Sequence, residues 1–149
     1  LMYLLEYRNR QIKLAGSDNY FKIPDNLIII GTMNTADRSI ALVDHALRRR
    51  FAFINIYPNY ELLRYYHQNN YHIDVENLIK ILEKLNQTIN NIHYQIGISF
   101  FLVENLATSL KSIWKMEIEP YLEEYFFDQL DEIDNFRWEK VETRIIKIE

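Results

Sequence analysis

Residues 27–39 read LIIIGTMNTADRS, an apolar run that changes abruptly into small and polar residues. A continuous apolar run of this length with β-branched residues at its centre is typical of a strand buried on both faces of a parallel sheet. We therefore predict a strand over residues 27–33. Asn34 follows at its carboxyl end, and that edge of an open α/β sheet is where ligands bind.

The residues around this strand predict the rest of a sheet domain. The expected elements are a helix that ends over residues 1–6, a short strand containing Ile12 and Leu14, a turn over 16–19, a helix over 40–49 with Asp37 or Ser39 as its N-cap, and a strand over 51–56. Strands that alternate with helices in this way are typical of an α/β sheet.

From residue 59 onward the apolar residues recur at helical spacing. The expected elements are helices over 60–68 and 75–92, a helix capped by Ser99, a helix over 108–127 bent at Pro120, and a weakly patterned tail from Trp138. The predicted fold class is therefore α/β followed by all-α. We expect a sheet domain over residues 1–58 and a helical domain over 59–149.

The composition excludes several classes of site. The chain has 149 residues, of which 48% are hydrophobic, so it can bury a core. It contains no Cys and three Gly, which excludes disulfides, thiolate metal sites and a GxxxxGK[ST] phosphate loop within it. No apolar run approaches the roughly 20 residues that span a bilayer, and residues 1–6 do not begin a signal peptide. We expect a soluble cytoplasmic protein that does not bind membranes.

Charge is distributed unevenly along the chain. The formal net charge is −4, so the protein as a whole does not present a nucleic-acid-coating surface. Arg38 and residues 48–50 form a basic group, whereas residues 117–134 carry eight acidic residues and no basic one. Such an acidic run is usually a solvated face, with partner binding as the less common alternative.

Two groups of polar residues are candidates for a site. Asn34 can hold a water or a phosphate oxygen, or it can tie down its own turn, and the spacing leaves these alternatives even. Arg48, Arg49 and Arg50 point in different directions around a helix, so they cannot share one ligand. One of them could favour the helix end, one could pair with Asp44, and one could reach a phosphate on a neighbouring subunit as an arginine finger. A solvated basic patch is the commoner role of such a run.

The remaining titratable residues do not form a recognisable site. Asp37 and Asp44 lack the further ligands that a metal needs, so we predict no metal site. The four His residues lack zinc-ligand spacing and are interpreted as surface or packing residues. The aromatic residues Tyr121, Tyr125 and Phe126 are expected in the core.

Five stretches together resemble the McrB family, the GTP-using AAA+ motor subunits of modification-dependent restriction systems. The strongest are FKIPDNLIIIGTMNTADRS over residues 21–39 and ALRRRF over 46–51. Residues 1–6 resemble the helix that follows the family's Walker B segment, and QIGISFF over 95–101 and IEPYLEEYF over 118–126 resemble its helical lid. The resemblance covers nearly the whole chain and implies the second half of an AAA+ module.

The resemblance implies a role for each candidate residue. Asn34 matches sensor 1, which positions the attacking water, and Asp37 and Arg38 belong to the same signature. Asp44 lies in the helix that leads to the arginines. Arg49 and Arg50 match the trans-acting arginine positions, and Arg48 is the less suited of the three. A finger that acts across a subunit boundary implies a homo-oligomeric ring, a hexamer.

The resemblance also implies cofactors and partners. The intact protein would use GTP or ATP with Mg²⁺, drive DNA translocation, and work with a McrC-like nuclease subunit, while an N-terminal domain would recognise DNA. The Walker A lysine and Walker B acids are absent from this chain, so alone it should neither bind nor hydrolyse nucleotide. Ile98 stands where the family's lid commonly has His, which puts an imidazole contact with the nucleotide in doubt. The alternatives are a MoxR- or dynein-like remodelling ATPase and a non-catalytic assembly module.

Overall fold

The structure is a computed structural model that describes residues 2–33 and 48–145. The chain divides into two compact units, Leu1–Asn55 and Ile56–Glu149.

The first unit contains one helix and one small antiparallel ladder. Helix α1 spans Met2–Glu6, and strand β1 (Ile12–Lys13) pairs with β2 (Tyr20–Phe21) in the register Ile12 opposite Phe21. Gly16 turns the chain between the strands at φ 73°, a left-handed conformation that favours glycine. The predicted helix end, first strand and turn are confirmed.

The two apolar runs that were predicted as strands do not form strands in the described residues. Residues 27–33 and 51–56 join no ladder, and Ile30 and Ile56 are 88% and 93% exposed. The prediction of a buried strand over 27–33 is therefore wrong for this part of the chain. A strand of a parallel sheet is buried by neighbouring strands and covering helices, and the described residues supply only one ladder of two-residue strands. The predicted helix over 40–49 lies outside the described residues except at its last two positions.

The regular elements of the second unit in the described residues are all helical, and they are joined by loops. Its helices are α2 (Tyr60–Tyr71), α3 (Glu76–Ile89), α4 (Leu106–Ile113), α5 (Glu119–Tyr125) and α6 (Trp138–Ile145), with 3₁₀ turns at Ile98–Phe101 and Leu130–Phe136 and a π-helical turn at Trp114–Ile118. Helix α3 carries the largest share of the core, and its buried apolar residues are Leu78, Ile79, Ile81, Leu82, Leu85 and Ile89.

Local capping explains where α2 and α3 begin and end. The Asn59 side chain accepts a hydrogen bond from the backbone N–H of Leu62 at 3.1 Å and so starts α2. His72 and Asn90 end α2 and α3 in the left-handed conformation, at φ 56° and 46°. Because Asn90 ends α3, that helix is shorter than the predicted 75–92. Ser99 lies inside the first 3₁₀ turn and caps no helix, so that prediction is wrong.

Residues 106–125 form one continuous helical stretch that widens near its middle. The backbone N–H of Glu119 bonds to the carbonyl of Trp114, five residues earlier, directly before Pro120. Proline has no N–H and its ring crowds the carbonyl of the preceding turn, so the wider turn accommodates it. The predicted helix is confirmed, although it ends at Tyr125, and the structure has a π-helical turn before Pro120 where a bend was predicted.

The C-terminal residues form a docked helix, where the sequence predicted a weakly patterned tail. Trp138 and Val141 of α6 are buried, and α6 packs against α3. The Trp114 indole N–H donates to the carbonyl of Phe136 at 2.7 Å, and the Glu119 carboxylate accepts from the backbone N–H of Trp138 at 2.5 Å. Since these anchors come from residues far away in sequence, the local pattern could not reveal them.

Candidate functional site

Arg50 is held by a carboxylate of its own chain. Its guanidinium forms a short ion pair with Glu6, the last residue of α1, and its side chain is only 15% exposed. An Arg that is partly buried against a carboxylate is positioned by that contact. Arg50 is thereby directed toward the end of α1.

Arg48 and Arg49 have different environments from Arg50. The Arg48 guanidinium lies 5.8 Å from the centroid of the Phe53 ring, within the range of a cation–π contact. Arg49 is exposed, and no hydrogen bond or ion pair between described residues involves its side chain. The three adjacent arginines therefore differ in their surroundings: Arg50 pairs with Glu6, Arg48 lies against Phe53, and Arg49 has neither kind of contact within the described residues. Arg48 and Arg49 are both exposed, and of these two Arg49 makes no aromatic or ionic contact in residues 2–33 and 48–145, so an anion from outside can reach it.

The other predicted site residues are not placed by the structure. Asn34, Asp37, Arg38 and Asp44 lie outside the described residues, so the predicted sensor and its support stay predictions. Within residues 2–33 and 48–145, no group of three His, Asp or Glu side chains is arranged to hold a metal ion. No helix in these same ranges is long and apolar enough to cross a bilayer.

The lid-like segment of the sequence, residues 95–101, lies between α3 and α4. Ile98 is 8% exposed and belongs to the core of the second unit, so its side chain points inward. Ser99 is exposed and Phe100 is partly exposed. The outward side of this segment is therefore formed by residues other than Ile98.

A buried amide holds the start of this segment. The Asn86 side chain accepts from the backbone N–H of Ile96 at 2.7 Å and donates to the Ile96 carbonyl at 3.0 Å. It also donates to the Tyr60 hydroxyl at 2.9 Å, which links α3 to α2. Burial raises the pKa of the Tyr60 phenol, and the Asn86 hydrogen bond acts in the opposite direction.

A buried histidine holds the end of the same segment. His67 of α2 is fully buried, and its Nε2 lies 2.7 Å from the carbonyl oxygen of Phe101. Because a carbonyl can only accept, Nε2 carries the proton and donates it. The His67 Nδ1 is buried and has no hydrogen-bond partner among residues 2–33 and 48–145. The interpretation of His67 as a packing residue is confirmed, but its role in holding residues 96–101 was missed.

The sequence did contain a signal for both residues. Asn86 stands on the apolar face of α3, one turn after Leu82 and one turn before Ile89, and His67 follows the buried Leu63 by four residues. A polar side chain at a core position must find a hydrogen-bond partner.

An ion-pair group also connects α2 to the start of α3. The Arg64 guanidinium pairs with the Glu76 carboxylate through two of its nitrogens, one of them at 3.0 Å, and with Glu61 at 2.6 Å. The hydrogen bond from Arg64 lowers the pKa of the Glu76 carboxyl, and the bond to Glu76 raises the pKa of Arg64. Two parallel N–H···O bonds fix the relative orientation of both side chains.

The helical unit and most of the chain match known proteins. Residues 77–134 match the family model described as the alpha-helical lid domain of McrB. The chain is 39% identical over 155 aligned residues to the type IV methyl-directed restriction enzyme EcoKMcrB subunit of Escherichia coli strain K12, an alignment that covers 86% of this chain and 33% of that protein. The chain belongs to the McrB family. It spans about a third of the length of that relative.

The match places a McrB lid on the second compact unit. The matched range begins near the start of α3 and contains Asn86, the segment 95–101, α4, α5 and the second 3₁₀ turn. His67 and Arg64 of α2 and the whole of α6 lie outside it. The core of the second unit thus includes residues of helices on both sides of the matched range.

Proposed function

We propose that this chain is the arginine-finger and lid portion of a McrB-like nucleoside-triphosphatase motor. The observation that carries the proposal is the 39% identity to a McrB subunit over 86% of the chain, which extends well beyond the lid alone. The motor hydrolyses GTP or ATP with Mg²⁺. The Walker A lysine and Walker B acids that hold the phosphates and the metal belong to another part of the full-length protein.

In this proposal the two candidate groups serve two different nucleotides. Asn34 acts as sensor 1 at the subunit's own nucleotide, supported by Asp37, Arg38 and Asp44. Arg49 reaches the nucleotide of the neighbouring subunit, where it stabilises the charge that develops on the transferred phosphoryl group. Its exposed side chain supports this assignment.

Arg50 is the second candidate for the finger and Arg48 the third. The Glu6 carboxylate already occupies part of the Arg50 guanidinium, and the Phe53 ring lies against Arg48. Arg49 has no such competing contact within the described residues. We therefore rank Arg49 first.

A finger that acts across a boundary requires an oligomer, and we propose a homo-oligomeric ring, a hexamer. In the ring, hydrolysis drives DNA translocation, and a McrC-like nuclease subunit stimulates hydrolysis and cuts DNA. The lid segment 95–101 contacts the nucleotide. Since Ile98 is directed into the core, that contact is made by the backbone and by the outward residues of the segment.

The test is nucleotide turnover by the full-length protein. We expect Mg²⁺-dependent release of phosphate from GTP or ATP, faster at protein concentrations at which the ring forms, and no turnover by the 149-residue chain alone. Steady-state assays with each nucleotide, run beside analytical ultracentrifugation, measure both. Absence of turnover of either nucleotide by an assembled full-length ring would overturn the proposal.

A further inference from the structure

Two buried polar residues of the second unit, Asn86 and His67, bond to the same short segment, residues 96–101. Asn86 bonds to both the N–H and the carbonyl of Ile96, and His67 bonds to the carbonyl of Phe101. A polar side chain is costly to bury unless it is hydrogen-bonded. Both side chains have hydrogen bonds, and these lie at the two ends of one six-residue segment. The bonds fix the backbone of this segment relative to α2 and α3.

Gly97 lies inside this fixed segment, and the fold does not require a glycine there. Its φ is −78° and its ψ is 166°, an extended conformation open to any residue. A Cβ built on Gly97 would meet only the Ser99 Oγ, at 3.8 Å, which is an ordinary contact. Because Gly97 has no side chain, a ligand from outside the chain can come close to its backbone. Internal packing does not explain the glycine, whereas such an approach would.

The sequence on both sides of Gly97 carries no acidic or basic side chain other than His93. Residues 85–103 contain no Asp, Glu, Lys or Arg, although residues 117–134 of the same unit carry eight acidic residues. No carboxylate within this window therefore repels a phosphate-bearing ligand. The exposed Ser99 hydroxyl beside Gly97 can donate a hydrogen bond to it.

We propose that Asn86 and His67 are positioning residues, which hold residues 96–101 so that Gly97 is presented to the bound nucleotide. This inference rests on the proposed function and names the residues through which the lid contact works. Ile98 cannot make that contact because its side chain is buried. The contact therefore depends on where the backbone lies, and Asn86 and His67 determine that position.

Three variants of the full-length protein test the inference. Gly97→Val adds a side chain on the outward surface, so we expect an unchanged thermal midpoint and a KM for the nucleotide raised about tenfold or more. Asn86→Leu and His67→Phe remove the hydrogen bonds and replace each polar side chain by a somewhat larger apolar one of similar shape. Both should raise KM more than they lower kcat, and Asn86→Leu should also abolish the slow hydrogen exchange of the Ile96 amide.

Val141→Ala is the matched control. Val141 is fully buried on α6 and makes no hydrogen bond to residues 96–101, so its loss should lower the thermal midpoint without raising KM. If Gly97→Val leaves KM unchanged in a ring that turns over nucleotide, the inference is wrong and the proposed function stands. If Val141→Ala raises KM as much as Asn86→Leu does at equal stability, the effect of Asn86 is only structural and the positioning role is wrong. If the wild-type ring neither binds nor turns over nucleotide, both proposals fail.

Discussion

Arg50 and Glu6 form an ion pair that joins the arginine triplet to the end of α1. The pair gives Arg50 a different environment from that of its exposed neighbour Arg49, although the two residues are adjacent in sequence. A guanidinium that already pairs with a carboxylate has fewer N–H groups available for a phosphate than one without such a partner. The pair therefore gives a physical order to positions that the sequence alone treats as equivalent.

The first prediction concerns Arg49. In the full-length ring, Arg49→Ala should lower kcat about a thousandfold, because a trans-acting arginine stabilises charge mainly in the transition state. Nucleotide affinity should stay within a few-fold, and Arg50→Ala should have a smaller effect. Steady-state turnover and nucleotide titration measure the two quantities. Arg144→Ala, an exposed position on α6, is the control and should leave kcat unchanged.

Mixing experiments test whether Arg49 acts in trans. A ring formed from Arg49→Ala subunits and subunits that lack the Walker lysine should recover part of the turnover, because some sites then combine an intact phosphate loop with an intact finger. Complete absence of rescue in mixed rings of verified composition would contradict a trans role for Arg49.

The second prediction concerns the free energy of unfolding contributed by Asn86. Asn86→Leu removes three hydrogen bonds and leaves the Ile96 N–H and carbonyl in a buried site. An unsatisfied buried polar group costs about 1–3 kcal/mol, so we expect a loss of at least that size. Urea denaturation of the helical unit followed by circular dichroism measures it. Gln87→Ala, the exposed neighbour on α3, should change the unfolding free energy little, and an equal loss in both variants would contradict the prediction.

The sequence predicted the elements whose causes are local, and it failed where the causes are distant. Periodicity and capping residues such as Asn59 identify α2 and α3, and Pro120 identifies the perturbed helix. Helix α6 was missed because its anchors, Trp114 and Glu119, lie on earlier helices. Periodicity alone could not distinguish an exposed apolar run from a buried strand at residues 27–33, because burial depends on neighbouring strands.

The candidate site shows the same difference between features with local causes and features with distant causes. The separate roles of the three arginines were expected from their helical spacing, but Glu6 as the partner of Arg50 joins residues 44 apart in sequence, and no local pattern reveals such a pair. Asn86 and His67 were detectable as polar residues on apolar faces, yet their common target, residues 96–101, required the structure.

The third prediction concerns pH. The Arg64 hydrogen bond lowers the pKa of Glu76 below its ordinary value of 4.5 in the folded state. A lowered folded pKa means that the pair stabilises the fold above the unfolded pKa, and that this stabilisation is lost as the pH falls through the folded value. Wild type should therefore be more stable than Glu76→Gln near neutral pH, and the difference should shrink below about pH 4.5. Urea midpoints measured across this range test it.

Glu117→Gln is the control for this titration. Glu117 is exposed and forms no ion pair among residues of the described ranges, so its variant should follow the wild-type profile. A difference between wild type and Glu76→Gln that stayed constant down to about pH 3 would show that Glu76 acts through packing instead of charge.

The fourth prediction concerns the docking of α6. Trp114→Phe keeps an aromatic ring but removes the indole N–H that donates to the Phe136 carbonyl, and it leaves a smaller side chain at a fully buried position. The unpaired carbonyl and the lost volume should together cost about 2–4 kcal/mol. The loss should appear as faster hydrogen exchange in α6 before the rest of the lid, because the Phe136 carbonyl directly precedes that helix. Phe127→Leu, at an exposed position, should change neither quantity. If α6 and α3 lose protection together in Trp114→Phe, α6 is an inseparable part of the lid core and does not unfold as a separate element.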